Sequence, residues 1–241
     1  MNILIACEES QVVALAFRKK GHDAYSCDIL PCSGKHPEFH IQGDVLKLLK
    51  NSKFKTQDGK THKSRKWDLM IAHPPCTYLA VSGARWFYDP RDKGKPVENR
   101  RPHPKFPNRR RDQKDAVDFV KALWHADVPK IVIENPIGIL STKMDKPTQI
   151  IQPWWFGDAA TKTTCLWIKG LPVLKPLKSV QNKMDNNESI NKGEVLHLSS
   201  GRKMQKWYAD ALVKAKNTEE RRTLRSKTFL GFAKAMAQQW G

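Results

Sequence analysis

The sequence has no long apolar run. None of its 241 residues lies in a stretch of about 18 consecutive apolar residues, which excludes an ordinary transmembrane helix. The first ten residues, MNILIACEES, also lack the basic start and the extended apolar segment of a secretion signal. We therefore expect a protein that has no membrane partner and stays in the cytoplasm.

Acidic residues are few relative to basic ones. Lys and Arg number 43 and Asp and Glu number 24, which gives a formal net charge of +19. An excess of this size on a small chain points to a polyanionic partner, although a solvated basic face is the alternative. Hydrophobic residues make up 39% of the chain, which is enough for the core of one α/β domain.

Cysteines are five in number, and an odd count without a secretory context predicts reduced thiols. Each thiol can then serve as core filler, metal ligand or nucleophile. Cys27, Cys32, His36 and His40 have the side-chain types of a zinc site. Their two pairs are closer together than structural zinc sites usually allow, so we predict no metal site.

Short apolar strands alternate with helical segments over the first 136 residues. Strands are predicted at 2–7, 22–28, 67–72 and 129–134, and helices at 9–20, after 43–45 and at 112–126. Residues 51–66 are polar and basic and are predicted to form an exposed loop. Helices that alternate with buried strands predict an α/β fold with a doubly wound, mostly parallel sheet.

The regular pattern fades after about residue 150. Aromatic residues predict short strands within 152–174, residues 175–201 are polar and irregular, and helices are predicted at 203–216 and 228–240. We expect a core over residues 1–170, an insert over 171–224, and a C-terminal helix over 225–241 that returns to the core.

Residues 85–111 form a segment rich in Lys, Arg and Pro, with aromatic residues between them. The prolines exclude a regular helix here. Basic side chains can bind phosphates while aromatic rings stack on bases, which favours a nucleic-acid contact over a disordered loop. The candidate nucleic-acid-binding residues are Arg85, Arg100, Arg101, Arg109, Arg110 and Arg111.

Polar residues follow four of the predicted strands, at 7–10, 27–28, 73–76 and 134–135. Ligands of doubly wound sheets bind beyond the carboxyl ends of the strands, so these residues are expected to meet in one cleft. Asp28 follows the second strand, where a carboxylate commonly accepts hydrogen bonds from ribose hydroxyls. Pro74 and Pro75 restrict the backbone before Cys76, which favours a nucleophile at a strand end over an inert core thiol.

Residues 68–83, DLMIAHPPCTYLAVSG, resemble the catalytic loop of cytosine-C5 DNA methyltransferases, whose core is Pro-Cys. Residues 133–136 are similar to the Glu-Asn motif of that family, and residues 43–45 resemble its segment at the adenine end of S-adenosylmethionine. Residues 225–240 resemble the helix that completes the cofactor pocket. These pieces follow the family's order over most of the chain, and short phage-type members are the most similar.

The resemblance implies a Rossmann-like S-adenosylmethionine-dependent methyltransferase with a DNA partner, in a bacterium or a phage-infected host cell. It implies that the Cys76 thiolate adds to C6 of a flipped-out cytosine, that Glu134 hydrogen-bonds the ring and that Asn135 orients the loop. The candidate catalytic residues are Cys76, Glu134, Asn135 and Lys162. The candidate cofactor-binding residues are Cys7, Glu8, Ser10, Asp28, Ile29, Asp44, Pro74 and Thr228.

The chain departs from the family's pattern at several points. Its first loop, residues 6–11, has no glycine, and Thr77 stands where Gln usually follows Pro-Cys. The family's Gln-x-Arg-x-Arg segment is not evident, and Lys162 lies roughly where it would be. The insert is short for a target-recognition region, so that region is expected to be reduced.

Three alternatives stay open. The first is a nucleic-acid-binding protein on a catalytically inactive methyltransferase scaffold, which the glycine-free first loop favours. The second is an exocyclic-amino methyltransferase, whose loop needs an acid or amide and an aromatic residue that the HPPC segment lacks. The third is a related C5 chemistry with another electrophile or with a free nucleotide as substrate.

Overall fold

The computed structural model describes residues 1–63 and 66–241, with side chains for all of these except residues 218, 219 and 222. Its strands are β1 (Asn2–Ala6), β2 (Asp23–Asp28), β3 (His40–Gln42), β4 (Lys53–Lys55), β5 (Thr61–Lys63), β6 (Leu69–Ala72), β7 (Lys130–Pro136), β8 (Gln149–Ile151), β9 (Thr164–Lys169), β10 (Val195–His197) and β11 (Lys203–Gln205). Its α-helices are α1 (Val12–Arg18), α2 (Val45–Leu48), α3 (Arg109–Trp124), α4 (Leu140–Lys143), α5 (Lys178–Asp185), α6 (Lys206–Lys214), α7 (Thr218–Ser226) and α8 (Leu230–Trp240).

A seven-stranded sheet in the order β3-β2-β1-β6-β7-β9-β8 forms the centre of the molecule. Strands β1, β2, β3, β6 and β7 pair in parallel, whereas β9 runs antiparallel to both β7 and β8. This arrangement confirms the predicted α/β fold with a doubly wound, mostly parallel sheet. It also places the carboxyl ends of the parallel strands along one edge.

The apolar runs of the sequence form the parallel strands because both faces of the sheet are covered. Leu4 on β1 belongs to a core cluster that includes residues of α2 and α3. Its neighbours Ile3 and Ile5 belong to a second cluster, on the other face, that includes residues of α1 and α8. Each parallel strand therefore needs apolar residues at consecutive positions, as the sequence provides.

Helix α8 packs beside α1 on the second face of the sheet. The ring of Phe232 stacks on Phe156 at a centroid distance of 5.5 Å. The indole nitrogen of Trp240 donates a hydrogen bond of 2.9 Å to the carbonyl of Pro172. These contacts hold the C-terminal helix against the second face of the sheet.

Residues 53–63 contain a β-hairpin of β4 and β5, whereas the sequence predicted an exposed loop over 51–66. That prediction was wrong for the hairpin, and residues 64 and 65 lie outside the described residues. The hairpin forms because Phe54 is buried against Tyr25 and Trp67, with ring centroids 5.1 and 5.8 Å away. Helices α5 and α7 were also not predicted.

In the part of the chain that the structure describes, no helix is both long enough and apolar enough to cross a membrane.

Candidate active site

Two neighbouring parallel strands carry the loops that contain Cys76 and Glu134. Ala72, the last residue of β6, lies beside Ile133 of β7 in the strand register. Residues 73–76 therefore leave the sheet next to Glu134, although 58 positions separate Cys76 from Glu134 in the sequence. The parallel register thus brings the two principal candidate residues to the same part of the edge.

Asn135 ties these two loops together. Its side-chain nitrogen donates a hydrogen bond of 2.8 Å to the carbonyl oxygen of Pro74, and Asn135 is buried. The amide oxygen of Asn135 is also buried and has no hydrogen-bond partner among the described residues. Asn135 thus orients the backbone just before Cys76.

Gly138 allows the two loops to approach each other closely. A Cβ atom on this residue would lie 1.9 Å from the carbonyl oxygen of Leu79, a distance that no side chain can tolerate. The same carbonyl accepts a hydrogen bond of 2.9 Å from the backbone nitrogen of Ile139. The loop after Cys76 and the loop after Glu134 therefore pack as one unit.

Glu134 is a largely buried carboxylate with a histidine partner. Its Oε2 accepts a hydrogen bond of 2.9 Å from Nδ1 of His73, and its side chain is 13% exposed. Burial raises the pKa of Glu134, but the hydrogen bond from His73 and the charges of Lys162 and His73 outweigh burial. The pKa consequently lies below its ordinary value, so the site holds a stable carboxylate near neutral pH.

Cys76 lies on the exposed rim of this site. The protein around the sulfur raises the pKa of the thiol, and the negative charge of Glu134 raises it further. The positive charge of Lys162 acts in the opposite direction. The free protein therefore holds a thiol at Cys76.

Lys162 lies close to Glu134, on the segment that enters β9. Its ammonium group is 3.5 Å from the carbonyl of Arg225 and 5.9 Å from the ring centre of Phe229. Lys162, Glu134, Thr228 and Phe229 all line one small pocket beneath α8. The structure thus brings together Cys76, Glu134, Asn135, Lys162 and Thr228 from the predicted sets.

Acidic side chains and a thiol lie at the ends of β1, β2 and β3. Burial raises the pKa of Cys7 strongly, and the charges of Asp28 and Asp44 raise it further, which shows that these groups are neighbours. Asp28 accepts a hydrogen bond of 2.9 Å from the backbone nitrogen of Leu30, and burial raises its pKa as well. Ile29, next to it, is 74% exposed.

The first loop turns without glycine. Cys7 and Gln11 have φ angles of 59° and 60°, the left-handed conformation that glycine adopts at no steric cost. The side chain of Gln11 is fixed by two hydrogen bonds to the backbone of His36, at 2.8 and 3.1 Å. The loop after β2 is therefore held against the first loop, and Ser10 contacts Gly34 of that loop.

Glu8 differs from the role that the sequence predicted for it. Its side chain is buried and accepts hydrogen bonds of 2.6 and 3.2 Å from the backbone nitrogens of Val13 and Ala14, at the start of α1. Burial raises the pKa of Glu8, and the charge of His73 lowers it in part. Because both oxygens are engaged, Glu8 serves the fold of the first loop, and we remove it from the cofactor-binding set.

Arg109 is the one arginine of the predicted nucleic-acid-binding set that is buried. It is 6% exposed, and its guanidinium donates a hydrogen bond of 2.8 Å to the carbonyl of Thr77. The rings of Tyr78 and Phe87 each lie 5.1 Å from the guanidinium carbon. Arg109 therefore supports the loop that follows Cys76, and we remove it from the set that faces nucleic acid.

The remaining arginines of residues 85–111 lie at or near the surface. Arg85 lies over Trp86 at 4.7 Å, while Arg100 and Arg110 lie over Tyr88 at 5.5 and 4.7 Å. The segment is folded, because the buried carboxylates of Asp89 and Asp92 accept hydrogen bonds from arginines of the same segment. Residues 81–86, 90–92 and 97–99 form 3₁₀ turns, in agreement with the prediction that no regular helix spans the segment.

Two residues of the site were not identified from the sequence. His73 was noted only as part of the HPPC segment, and Arg109 was assigned to nucleic acid. The proximity of His73 to Cys76 was visible in the sequence, but its pairing with Glu134 depends on the strand register. No group of three or more His, Cys, Asp or Glu side chains within residues 1–63 and 66–241 is arranged to hold a metal ion.

Comparisons with known proteins find matches only among solved structures. No protein-family model matches the chain, and no curated protein matches it. Among solved structures that match is a protein from E. coli, described as a DNA modification methyltransferase encoded within a prophage. The two sequences are 14% identical with a TM-score of 0.40, over 74% of this chain and 51% of that one. This chain thus spans about half the length of that protein.

The order of the strands in the central sheet differs from their order along the chain. With the short strands β4 and β5 left out, the order of the central sheet in chain order is 3-2-1-4-5-7-6, and the seventh strand is antiparallel. The sheet is mostly parallel and is covered by helices on both faces, as the sequence predicted.

Proposed function

We propose that this protein is a DNA methyltransferase that modifies C5 of cytosine, with Cys76 as the covalent nucleophile. One observation carries the proposal: the loops of Cys76 and Glu134 leave adjacent parallel strands and are locked together by the bond from Asn135 to Pro74. The thiol of a residue at the rim of the site, beside a largely buried carboxylate, is an arrangement that suits attack on a ring and stabilisation of the product.

Cys76 acts as the nucleophile once its thiol has lost a proton, because the thiolate is the reactive form. Lys162 favours the thiolate, whereas the burial around the sulfur and the charge of Glu134 oppose it. The sulfur forms a bond to C6 of the cytosine, and the electron pair of the C5–C6 double bond becomes available at C5. Loss of the C5 proton later restores this double bond and releases the sulfur.

Glu134 holds the base during this addition. Its carboxylate lines the small pocket next to Lys162, where it can accept a hydrogen bond from the exocyclic amino group of cytosine. Contacts that strengthen as charge develops on the ring stabilise the adduct more than the free base.

The edge at β1, β2 and β3 fits an adenosine-containing cofactor. Asp28 offers a carboxylate to ribose hydroxyls, and the exposed Ile29 beside it offers an apolar surface to a flat base. Asp44 caps α2 through its Oδ1 and lies at the same edge. S-adenosylmethionine bound there supplies an electrophilic methyl group. The proposed cofactor-binding set is Cys7, Ser10, Asp28, Ile29, Asp44, Pro74 and Thr228.

DNA is the proposed partner, because exposed arginines and aromatic rings alternate along residues 85–111. Arg85, Arg100, Arg101, Arg110 and Arg111 are the proposed phosphate contacts. A cytosine inside a duplex is out of reach of Cys76, so the target base has to be flipped out or already single-stranded. The short insert over 171–224 is the proposed target-recognition region.

A second candidate function is nucleic-acid binding on an inactive scaffold. The observation that favours it is the first loop, where Gln11 fixes the loop after β2 in place and the turn contains no glycine. Such a loop differs from the open phosphate- or cofactor-binding turns of related folds.

The test uses tritiated S-adenosylmethionine with a cytosine-rich duplex and with its separated strands. The wild-type protein is compared with Cys76→Ala and with a matched control, Cys32→Ala, in which another accessible thiol is removed. We expect label at C5 of cytosine that is lost in Cys76→Ala and kept in Cys32→Ala. Label on an exocyclic amino group that survives Cys76→Ala supports an amino methyltransferase, and DNA binding without transfer supports the inactive scaffold.

A further inference from the structure

His73 is a buried histidine to which neither the sequence nor the proposed chemistry gives a role. It follows β6 directly, three residues before Cys76, and its side chain is 10% exposed. Its Nδ1 lies 2.9 Å from Oε2 of Glu134, so the imidazole and the carboxylate share a hydrogen bond. Because a carboxylate accepts hydrogen bonds, the proton of this bond lies on Nδ1 when Glu134 is ionised.

The other ring nitrogen of His73 has no partner. Nε2 is buried and makes no hydrogen bond within the described part of the chain. Buried polar atoms are nearly always paired in folded proteins, and the exceptions concentrate at sites of function. A purely structural histidine at this position would be expected to have both ring nitrogens satisfied, as those of His40 are by Ser26 and Leu30.

Charged and titratable groups face His73 from every neighbouring element. Glu134 lies at the end of β7, and the charge of Glu8 interacts with His73 from the first loop. Lys162 approaches Glu134 from the segment before β9, and Cys76 lies on the loop of His73 itself. The acidic side chains of Glu8 and Glu134 thus both lie near the imidazole. In the form that can donate a proton, both ring nitrogens of the imidazole carry protons.

The proposed addition needs a proton next to the base. When the thiolate of Cys76 bonds to C6, negative charge builds up on the ring and is relieved if N3 is protonated. Glu134 cannot bring that proton alone, because its pKa lies below the ordinary value and its carboxylate is ionised near neutral pH. Histidine is the side chain that exchanges protons most readily in this pH range.

We propose that His73 is the positioning residue for Glu134 and holds the proton that Glu134 passes to N3 of the target cytosine. This inference rests on the proposed function. As the bond between the Cys76 sulfur and C6 forms, the Nδ1 proton of the imidazolium moves to Glu134 and a proton moves from Glu134 to N3. His73 is left as a neutral imidazole, and elimination of the sulfur returns both protons along the same path.

The first experiment measures the addition without any methyl donor. Reversible attack of Cys76 at C6 makes C5 take up a proton from solvent, so cytosine tritiated at C5 loses its label to water. The exchange rate in a cytosine-rich single strand is measured from mildly acidic to mildly alkaline pH. The proteins are wild type, His73→Ala, His73→Asn and His62→Asn. The last is a control on the hairpin of β4 and β5, which packs near the opposite ends of β1 and β2.

His73→Asn separates the two roles, because its amide nitrogen can replace Nδ1 as a donor but carries no transferable proton. At neutral pH we expect His73→Ala to lower the exchange rate by about 100-fold, with part of that loss recovered in His73→Asn. The rate of each variant relative to wild type should rise as the pH falls and Glu134 itself becomes protonated. A ratio that does not change with pH, or full activity in His73→Ala, overturns the proposal.

The second experiment needs no substrate. Carboxyl ¹³C NMR of glutamate-labelled protein follows the ionisation of Glu134, with Glu134→Gln to assign its signal. We expect Glu134 to titrate at higher pH in His73→Ala than in wild type, and to be unchanged in His62→Asn. An unshifted titration overturns the pairing. If wild-type protein exchanges no label, the proposed function and the proton transfer both fail, while this titration still decides whether His73 governs Glu134.

Discussion

The carboxyl edge of the sheet has two halves in which the pKa values of acidic side chains shift in opposite directions. At the end of β1 and β2, burial raises the pKa values of Glu8 and Asp28. The charge of His73 offsets burial only in part at Glu8, and a backbone hydrogen bond from Leu30 does so only in part at Asp28. At the end of β7, Glu134 is also buried, yet its pKa is lowered because His73 and Lys162 outweigh burial. The two halves share one sheet and one backbone geometry.

The difference shows that the partners of each carboxyl group, more than its depth, decide the direction in which its pKa moves. At Asp28, backbone hydrogen bonds and the charge of His40 do not outweigh burial, and the carboxyl group suits hydrogen bonds to neutral hydroxyl groups. At Glu134, the hydrogen bond from His73 and the charge of Lys162 do outweigh burial, and the carboxylate presents a negative charge to a base. The proposed cofactor and the proposed substrate thus meet chemically distinct surfaces, and each surface can be disturbed separately.

The largest expected effect comes from Glu134→Gln, which removes the negative charge of the carboxylate at the end of β7. Loss of a group that takes part in proton transfer typically costs at least about 100-fold in rate, so C5 exchange should fall by that factor or more. The matched variant is Asp28→Asn. It should keep the rate of C5 exchange, measured without a methyl donor, within about 3-fold of wild type, because Asp28 lies in the other half of the edge. Similar losses in both variants would mean that the two halves do not act separately.

Gly138→Ala should break the packing between the loops of Cys76 and Glu134. The added Cβ would meet the Leu79 carbonyl at 1.9 Å, so the loops have to separate. We expect a loss of roughly 2–3 kcal/mol in the free energy of unfolding, typical of overpacking. Denaturant titration provides the measurement, and Gly43→Ala serves as a control for the loss of a glycine, because its Cβ would meet no atom within 4 Å and its φ lies outside the left-handed region.

Asp28→Asn should weaken cofactor binding while sparing the reaction half. Replacing a charged acceptor by a neutral one typically costs about 1.4 kcal/mol, which is about 10-fold in the Kd for S-adenosylmethionine. Isothermal titration calorimetry of the DNA-free protein measures this Kd. Equal affinity for S-adenosylmethionine in wild type and Asp28→Asn would remove Asp28 from the proposed cofactor site. Weaker cofactor binding in Glu134→Gln would contradict the separation of the edge into a cofactor half and a reaction half.

The smallest effect is expected from Arg110→Ala, because Arg110 is one of several exposed cations. Loss of one phosphate contact should weaken DNA binding by about 3-fold at moderate salt and lower the slope of log Kd against log salt by about one. Fluorescence anisotropy over a salt series measures both values. An unchanged slope would indicate that the guanidinium stays on Tyr88 and does not reach DNA.

The sequence predicted the parallel strands because buried strands such as β1 and β6 need consecutive apolar residues. It also predicted that Cys76 and Glu134 would meet, since the carboxyl ends of parallel strands share an edge. The hairpin of β4 and β5 was missed because Phe54 is the only buried residue of its two strands and lysines flank it. A single inward residue gives no alternating pattern.

The burial of Arg109 and the pairing of His73 with Glu134 had no local signal. Arg109 belongs to a run of three arginines, which in most sequences indicates a solvated face. The rings of Tyr78 and Phe87, which lie more than 20 residues away in the sequence, pack against its guanidinium. His73 and Glu134 are 61 residues apart, and their contact depends on the register between β6 and β7. Such contacts follow from three-dimensional packing, which a local pattern does not contain.

Helix α3 connects the protein surface with the loop of the proposed nucleophile through Arg109. The guanidinium of Arg109 donates a hydrogen bond to the carbonyl of Thr77, the residue after Cys76, while Arg110 and Arg111 on the same helical turn face solvent. Gln113, one turn further on, holds the Tyr78 carbonyl at 2.8 Å. A phosphate bound to the exposed arginines would therefore contact the same helix that holds the backbone after Cys76 through Arg109 and Gln113.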